Sequence, residues 1–323
     1  MPARKSMKRH RDILRVGVVG IGHLGTYHLQ KYHMIPSCRI VGVADTVRAR
    51  AQEAAAHYAC EAFDDHRQLR GMVDAVSIAV PTANHHAVAR DFLADGVDVL
   101  LEKPIAVTIE EADDLIRIAD ENDALLQVGL IERFNPAIAA LEKVIEGPLF
   151  IESHRLHPFF HRGTDVDVIL DLMIHDLDLI LHFVRSSLKN IDAVGVSVLS
   201  DNVDISNVRL AFENGCVANI TASRVTSKTL QKMRFFGLEG YHAVDFGKRE
   251  LVSLHRTKNS AGQVEISRSD VAVENYDALE KEIRAFVESV ITRTTPRVSG
   301  YEARKSLEVA LDIIDRMKTG QEL

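Results

Sequence analysis

The sequence predicts an α/β protein in which a doubly wound parallel sheet is followed by an α+β domain with a largely antiparallel sheet. Through the first 130 residues, short apolar runs alternate with segments of helical character, as they do where helices cover a parallel sheet. From about residue 148, strand-like segments follow one another with few helices between them, and two amphipathic helices end the chain. We therefore predict a basic, disordered tail at 1–12, a first domain at 13–130 and a second domain at 131–323.

The strands of the first domain are predicted from five runs rich in valine and isoleucine: LRVGVVG, CRIVGVAD, VDAVSIAV, VDVLLEKP and ALLQVGL. Continuous apolar runs of this length are typical of strands buried on both faces of a parallel sheet. Helices are predicted between them at 23–34, 47–58, 84–95 and 109–122. The repeated order of strand, helix and strand indicates a doubly wound sheet.

The second domain is predicted to contain six strands: LFIESHRLHP, IDAVGVSVLS, VDISNVRLAF, GCVANITASRV, LQKMRFFGLEG and YHAVDFG. Helices are predicted at 171–183, 275–292 and 300–318. Because helices would cover only one side of this sheet, we expect an apolar face that is buried in a homodimer or homotetramer. The chain has no low-complexity linker, so we expect the two domains to pack against each other with a cleft between them.

The composition is that of an average soluble globular protein, with 46% hydrophobic and 26% charged residues among 323. The net charge of −7 argues against nucleic acid as a partner. The basic N-terminal run lacks the apolar segment of a signal peptide, and no window approaches the roughly 18 apolar residues of a membrane span. Cys38, Cys60 and Cys216 have no metal-binding spacing and are expected to be reduced thiols of a cytoplasmic protein with no membrane partner.

A glycine-rich turn follows the first predicted strand. Gly20, Gly22 and Gly25 form the pattern G-x-G-x-x-G, which encloses His23 and Leu24. Between a strand and a helix this pattern is typical of a dinucleotide-binding Rossmann fold. The glycines permit a tight turn and close approach of a pyrophosphate, and the helix N terminus offers N–H groups to the anion. The alternative is a glycine-rich turn that binds nothing.

An acidic residue at the end of the second strand indicates which dinucleotide binds. Asp45 lies twenty residues after Gly25. A carboxylate there can accept hydrogen bonds from both ribose hydroxyls and would repel a 2′-phosphate, which favours NAD over NADP. Arg48 could neutralise such a phosphate, so NADP stays the less favoured alternative.

A lysine lies at the end of another predicted strand, in Glu102-Lys103-Pro104. Ligands of open α/β sheets occupy the crevice outside the carboxyl ends of the strands. Lys103 should therefore project toward whatever lies beside the dinucleotide, although a surface lysine in a polar loop is the alternative. Pro104 restricts the conformation of Lys103.

These motifs, in this order, resemble the Gfo/Idh/MocA family of oxidoreductases. The resemblance rests on G-x-G-x-x-G, on AVPTANHHAVARDFLADGVDVLLEKPIAVT and on a later D-x-x-x-H, and it spans residues 13 to 320. It implies a Rossmann domain followed by a substrate-binding and oligomerisation domain. It also implies that Lys103 is an active-site residue and that Asp171 and His175 are the paired acid and histidine.

The resemblance implies further cofactor contacts near the nicotinamide. The family's loop motif corresponds to Pro81, Thr82, Asn84 and His86. Glu102 of the E-K-P motif is predicted to contact the cofactor as well. Within the family, VGLIERFNPAI and DVDVILDLMIHDLDLIL are most similar to members that oxidise the 3-hydroxyl of UDP-N-acetylglucosamine or a related UDP-sugar for lipopolysaccharide or lipid A synthesis. An inositol or free-sugar dehydrogenase is one alternative, and a non-catalytic protein that senses the dinucleotide is another.

The chemistry of alcohol oxidation suggests a role for each of these residues. A base must take the hydroxyl proton, and a histidine titrates near neutral pH. His175 is the candidate base, Asp171 could orient its ring, and the ammonium of Lys103 could stabilise charge on the reacting oxygen. Either Lys103 or His175 could take the proton. Asp178 and His182, further along the helix, are expected to form hydrogen bonds within the protein or to face solvent.

Three arginines are further candidates. Arg133 could reach the nicotinamide edge or a substrate phosphate, or instead form a salt bridge with Glu132. Arg155 and Arg162 are predicted to contact the diphosphate of the substrate, because guanidinium groups bind phosphate through two parallel hydrogen bonds. No metal is expected, since nicotinamide chemistry needs none.

Overall fold

The computed structural model describes the chain at residues 13–159, 166–238, 240–258, 260, 262–269 and 271–320. The tail predicted at 1–12 lies outside these residues. The chain divides into two compact units. The first comprises the chain up to Gly129 together with Leu279–Gly300, and the second comprises Leu130–Ala278 together with the chain from Tyr301 onward.

The first unit contains a six-stranded parallel sheet. Its strands are β1 (Leu14–Val19), β2 (Cys38–Ala44), β3 (Glu61–Phe63), β4 (Ala75–Ile78), β5 (Asp98–Glu102) and β6 (Leu126–Gly129). Their spatial order is β3-β2-β1-β4-β5-β6. The direction of the chain away from β1 reverses between β1 and β4, the switch point where such sheets bind ligands. The predicted doubly wound sheet is confirmed, and the short edge strand β3 is an addition.

The second unit contains an eight-stranded mixed sheet. Its strands are β7 (Phe150–Leu156), β8 (Leu188–Val196), β9 (Ile205–Phe212), β10 (Val217–Ser223), β11 (Leu230–Phe236), β12 (Gly240–Asp245), β13 (Glu250–Lys258) and β14 (Val264–Ser269). Their order is β14-β13-β12-β11-β7-β10-β9-β8. Only β7 and β10 pair in parallel among these strands. The largely antiparallel sheet is confirmed, and β13 and β14 were not predicted.

Eight α-helices complete the described part of the fold: α1 (His23–His33), α2 (Arg48–Tyr58), α3 (His85–Ala94), α4 (Ile109–Glu121), α5 (Pro136–Leu141), α6 (Ile174–Val184), α7 (Ala278–Thr292) and α8 (Gly300–Gly320). The first four agree with the predicted bounds to within one residue at each end. A π-helical turn at Ile169–Met173 leads into α6. Among the described helices, none is long and apolar enough to cross a membrane.

Helix α7 belongs to the core of the first unit, although it follows the second sheet in the chain. Phe286 and Val290 of α7 pack in one cluster with Val16 and Val18 of β1 and Leu29 of α1. The boundaries predicted from sequence place this helix in the second domain. The structure differs because the apolar face of α7 fills the core next to α1.

Helices α5, α6 and α8 pack in one core with the second sheet. Buried and outward side chains alternate along its strands, as in β9, where Val208, Leu210 and Phe212 are buried. These side chains share a cluster with Ile313 and Met317 of α8.

The opposite face of the second sheet, where an apolar surface was expected, carries both polar and apolar side chains in its middle strands. Arg209 of β9 donates to Asn219 of β10 at 3.1 Å. Arg234 of β11 and Glu152 of β7 form an ion pair at 2.6 Å. The rings of Phe150, Phe236 and Tyr241 contact one another on the same face, and the homodimer or homotetramer stays a prediction.

Glu282 is a buried acid of α7. Its side chain is fully buried, and neither of its carboxyl oxygens has a hydrogen-bond partner among the described residues. Burial, and then the negative charge of Glu102, raise the pKa of Glu282 well above its usual range. Burial therefore favours the neutral form of this acid in the folded protein.

The substitution Glu282→Gln should make the protein more stable at neutral pH than at acidic pH, relative to the native chain. The unfolded chain releases this proton near pH ~4.3, whereas the folded chain retains it, so native stability falls as pH rises above that value. The advantage of the variant should grow by up to about 1.4 kcal/mol per pH unit until the folded pKa is reached. Urea unfolding of both proteins at pH values from roughly 5 to 8, where most proteins are stable, measures this difference in the free energy of unfolding.

The matched control is Glu288→Gln, which removes an exposed carboxylate from the same helix. Its effect on the free energy of unfolding should not change across this pH range. Parallel curves for Glu282→Gln and the native chain would show that Glu282 is ionised in the folded protein.

Candidate active site

The turn between β1 and α1 has the geometry of a phosphate-binding loop. Gly20 adopts a φ of +87°, and a Cβ there would lie 2.5 Å from the carbonyl oxygen of Ala79. A Cβ on Gly25 would overlap the carbonyl oxygen of Gly20, so this glycine lets the helix approach the strand closely. At Gly22, no described atom lies within 4 Å of the position of a Cβ, which leaves room for a ligand.

The N terminus of α1 is open to an anion. Gly22 is the N-cap and provides no capping side chain. The first N–H groups of the helix are therefore available to a phosphate, together with the positive end of the helix dipole. His23 and Leu24 are exposed in this first turn, and the ring of His23 packs against Tyr27.

Asp45 lies beside this turn, as the sequence predicts. Its carboxylate accepts the backbone N–H of Ile21 and that of Val47, both at 2.7 Å. A carboxylate offers about four acceptor positions, so two more hydrogen bonds remain for ribose hydroxyls. Arg48 is largely exposed and lies 3.9 Å from the carboxylate of Asp64. The open space at Gly22, the uncapped helix and Asp45 together fit a dinucleotide.

Lys103 follows β5 and is half-buried. The neighbouring carboxylate of Glu102 contacts Nε2 of His28 at 3.0 Å through one oxygen and accepts the backbone N–H of Lys103 at 3.3 Å through the other. Burial alone would raise the pKa of Glu102, but the hydrogen bond from His28 and the positive charges nearby lower it below its ordinary value. Glu102 was predicted to contact the cofactor, and in the structure each of its oxygens has one partner within the protein.

A second buried histidine holds the segment after Lys103. Nδ1 of His85 lies 2.7 Å from the carbonyl oxygen of Pro104, and Nε2 lies 3.0 Å from that of Val80. The Lys103–Pro104 peptide is cis. The loop that carries Pro81, Thr82 and Asn84 begins directly after Val80, at the switch point beside β1.

The two adjacent histidines of this loop have different surroundings. His86 was predicted to lie near the nicotinamide, but its Nε2 pairs with Asp114 of α4 at 2.8 Å. His85, which was missed, is the one buried beside Lys103. The helical period could have identified it, because Val88 and Phe92, three and seven residues later, are also buried.

Asp171 and His175 belong to the second unit. Asp171 lies in the π-helical turn and His175 in the first turn of α6, and both are half-buried. Further along α6, Asp178 contacts Arg133 at 3.4 Å and His182 contacts Glu142 at 3.0 Å. The prediction that Asp178 and His182 form internal hydrogen bonds is confirmed.

Arg155 forms a buried ion pair and does not present its guanidinium group to a phosphate, which corrects the prediction. Its Nε and Nη2 donate to the two carboxylate oxygens of Asp176, each at 3.0 Å, and its Nη1 donates to Glu132 at 2.8 Å. The guanidinium group also lies over the ring of Phe246. Burial by itself would lower the pKa of Arg155, but the charges of Asp176 and Glu132 raise it above its usual value.

Arg133 is buried in a similar way. It contacts Asp178 at 3.4 Å and Glu302 of α8 at 2.9 Å. Burial raises the pKa of Asp178 to about 7, against the opposing charge of Arg133. The third predicted arginine, Arg162, lies outside the described residues.

Two parts of the chain match models of known protein families. Residues 14–130 match the family model of an oxidoreductase family with an NAD-binding Rossmann fold, and residues 151–242 match the GFO/IDH/MocA C-terminal domain. The chain is 39% identical to the UDP-N-acetylglucosamine 3-dehydrogenase of Acidithiobacillus ferrooxidans, over 93% of this chain and 96% of that protein. The crystal structure of that dehydrogenase superposes with a TM-score of 0.86.

More distant relatives act on other polyols. The NAD-dependent scyllo-inositol 2-dehydrogenase of Bacillus subtilis is 24% identical over 95% of both chains. A levoglucosan dehydrogenase solved with NADH and levoglucosan is 18% identical, covers 95% of this chain and 97% of its own, and has a TM-score of 0.84. The latter likeness shows the shared fold.

Proposed function

Because this chain belongs to the Gfo/Idh/MocA family of oxidoreductases and has its NAD-binding Rossmann domain, we propose that it oxidises the 3-hydroxyl of UDP-N-acetylglucosamine, or of a closely related UDP-sugar, with NAD as the hydride acceptor. The observation that carries the proposal is the identity of 39% to a UDP-N-acetylglucosamine 3-dehydrogenase over nearly the full length of both chains. The lysine at the end of β5, near the phosphate-binding turn in the same unit, supports the chemistry.

The side chains divide the chemistry of alcohol oxidation between them. NAD, when bound, takes the hydride from the carbinol carbon. Lys103, as an ammonium, hydrogen-bonds the hydroxyl oxygen and lowers the pKa of the hydroxyl. His175 takes the hydroxyl proton, with Asp171 one helical turn earlier to orient its ring. Lys103 is also able to act as the base. The pH profiles of kcat for a variant of Lys103 and for a variant of His175 assign the role.

Turnover with defined sugars tests the proposal. The purified protein, NAD and UDP-N-acetylglucosamine should produce NADH together with a 3-keto sugar nucleotide, identified by mass spectrometry after trapping of the ketone. Free N-acetylglucosamine is the matched control for the UDP group. Turnover of myo- or scyllo-inositol with none of the UDP-sugar would instead establish the second candidate, which the inositol dehydrogenase relatives favour.

Substitution of Asp45 tests the proposed preference for NAD. Asp45→Ser removes the carboxylate that would accept the ribose hydroxyls and repel a 2′-phosphate. Hydrogen bonds to a charged group contribute about 1.5–3 kcal/mol each, so kcat/KM with NAD should fall by about 10²-fold while that with NADP rises. Glu53→Ser, which removes an exposed carboxylate from α2, should leave the ratio unchanged. An unchanged ratio in Asp45→Ser would show that other residues select the dinucleotide.

A further inference from the structure

Two buried histidines contact the residues on either side of Lys103, Glu102 through its carboxylate and Pro104 through its carbonyl oxygen. On the N-terminal side, His28 contacts one oxygen of Glu102 at 3.0 Å, and the other oxygen accepts the N–H of Lys103 at 3.3 Å. On the C-terminal side, His85 contacts the carbonyl oxygen of Pro104 at 2.7 Å. The backbone of the lysine is therefore linked to two side chains distant in sequence.

These contacts lie in the interior of the first unit. His28 is 0% exposed, His85 is 1% exposed and Glu102 is 9% exposed. Hydrogen bonds in a medium of low dielectric constant are stronger than in water, and breaking one leaves a buried polar group without a partner. The bonds that hold Lys103 are thus costly to break.

The chain leaves room for this arrangement on β6. Glu102 is directly opposite Gly129 in the parallel pair of β5 and β6. A Cβ on Gly129 would lie 3.0 Å from Oε2 of Glu102 and 3.1 Å from its carboxyl carbon. A Cβ at 129 would therefore push the carboxylate that accepts the N–H of Lys103 by a few tenths of an ångström.

Each histidine also belongs to an element that forms the dinucleotide site. His28 is on α1, whose N terminus is the phosphate-binding turn. The second ring nitrogen of His85 contacts the carbonyl oxygen of Val80, directly before the loop with Pro81 and Thr82. The position of Lys103 is consequently linked to both sides of the switch point.

We propose that His28 and His85 are positioning residues, which fix the backbone of Lys103 relative to the phosphate-binding turn and to the loop after β4. The inference rests on the proposed function, in which Lys103 contacts the reacting hydroxyl. Neither histidine touches substrate or cofactor in this role. His28 acts through Glu102. A neutral imidazole has one N–H, so His85 donates to the nearer carbonyl oxygen, that of Pro104 at 2.7 Å, and lies in contact with that of Val80 at 3.0 Å.

Paired substitutions test the proposal. In each pair, one variant replaces the histidine by a residue whose side-chain amide can donate in place of the histidine N–H, and the other replaces it by leucine, which cannot donate. His28→Gln retains a donor near Nε2, and His85→Asn retains one near Nδ1, whereas His28→Leu and His85→Leu retain none. A misplacement of about 1 Å can lower a rate by about 10²-fold. We expect the kcat of the leucine variants to fall by roughly 10- to 100-fold. The KM for NAD and the KM for the sugar should change little.

The amide variants should recover most of the lost kcat. A sugar deuterated at the carbinol carbon should show a larger isotope effect in the leucine variants, since hydride transfer becomes slower relative to product release. Gly129→Ala should reproduce the kcat loss of His28→Leu by displacing Glu102. His66→Leu is the control, because His66 also contacts a carboxylate, that of Asp91, at 3.0 Å in the same unit, and it should leave kcat unchanged.

Hydrogen exchange gives a readout that does not depend on turnover. The amide of Lys103 should exchange about tenfold faster in His28→Leu than in His28→Gln, because its acceptor is no longer held. Leucine variants with unchanged kcat and unchanged exchange would overturn the inference, and so would amide variants that recover nothing. Absence of turnover by the native chain with every sugar tested would instead overturn the proposed function, while the exchange experiment would still report on the two histidines.

Discussion

The variant Lys103→Met is expected to lower kcat for oxidation of the sugar by about 10³-fold while it still binds NAD. The substitution keeps the length of the side chain and removes the ammonium group that stabilises charge on the reacting oxygen. Loss of one such electrostatic contact costs about 10²–10³-fold, and loss of a general acid or base costs about 10²–10⁴-fold. Single-turnover measurement of NADH formation separates this loss from changes in product release.

Lys103→Arg is the matched comparison. It keeps a positive charge but replaces a compact ammonium group by a planar guanidinium group of a different hydrogen-bonding geometry. Its kcat should lie between those of the native chain and Lys103→Met. Turnover at the native rate by Lys103→Met would exclude the proposed chemistry at this residue.

The variant Arg155→Met is expected to lower the free energy of unfolding by about 3–5 kcal/mol, the usual cost of removing one partner from a buried ion pair. The substitution leaves Asp176 and Glu132 as carboxylates whose cation has been removed. Asp176 is fully buried, so it cannot recover hydration. Urea unfolding at neutral pH measures the loss, with circular dichroism as the signal.

A second substitution distinguishes loss of the ion pair from loss of packing. Asp176→Leu in the Arg155→Met background removes the uncompensated acid and should restore part of the lost stability, because apolar residues of similar volume often replace a buried pair at no net cost. Arg234→Met breaks the partly exposed pair with Glu152 on the same sheet and should cost about 0–1 kcal/mol. Equal losses for Arg155→Met and Arg234→Met would show that the buried pair adds nothing specific.

Much of the first unit could be predicted because its signals are local. Apolar runs marked five of its six strands, and the turn around Gly22 combines its glycines with a strand before it and a helix after it. The strand Glu61–Phe63 was missed because three residues at a sheet edge do not produce an apolar run. In the second unit, β14 was missed because nearly all of its side chains are exposed and follow no buried pattern.

The arginines show why the candidate site could be predicted only in part. Arg155 and Arg133 have the residue type that binds phosphate, but each pairs with an acid of α6 that lies more than twenty residues later in the chain, and with a second acid elsewhere. Sequence spacing cannot show that a strand and a distant helix bring these charges together. The two adjacent histidines differ for a related reason, since the buried face of α3 selects His85 and the surface contact with Asp114 occupies His86.

Helix α7 determines when the first unit can complete its folding during synthesis of the chain. A nascent chain that ends near residue 130 contains the whole parallel sheet but lacks Ile283, Phe286, Val287 and Val290, which complete its core. On the ribosome, the first unit therefore reaches its final packing only after nearly the entire chain has been synthesised. Until then the part of this core that α7 covers stays exposed and open to chaperones. A recombinant fragment cut at residue 130 would keep this surface permanently exposed and would aggregate.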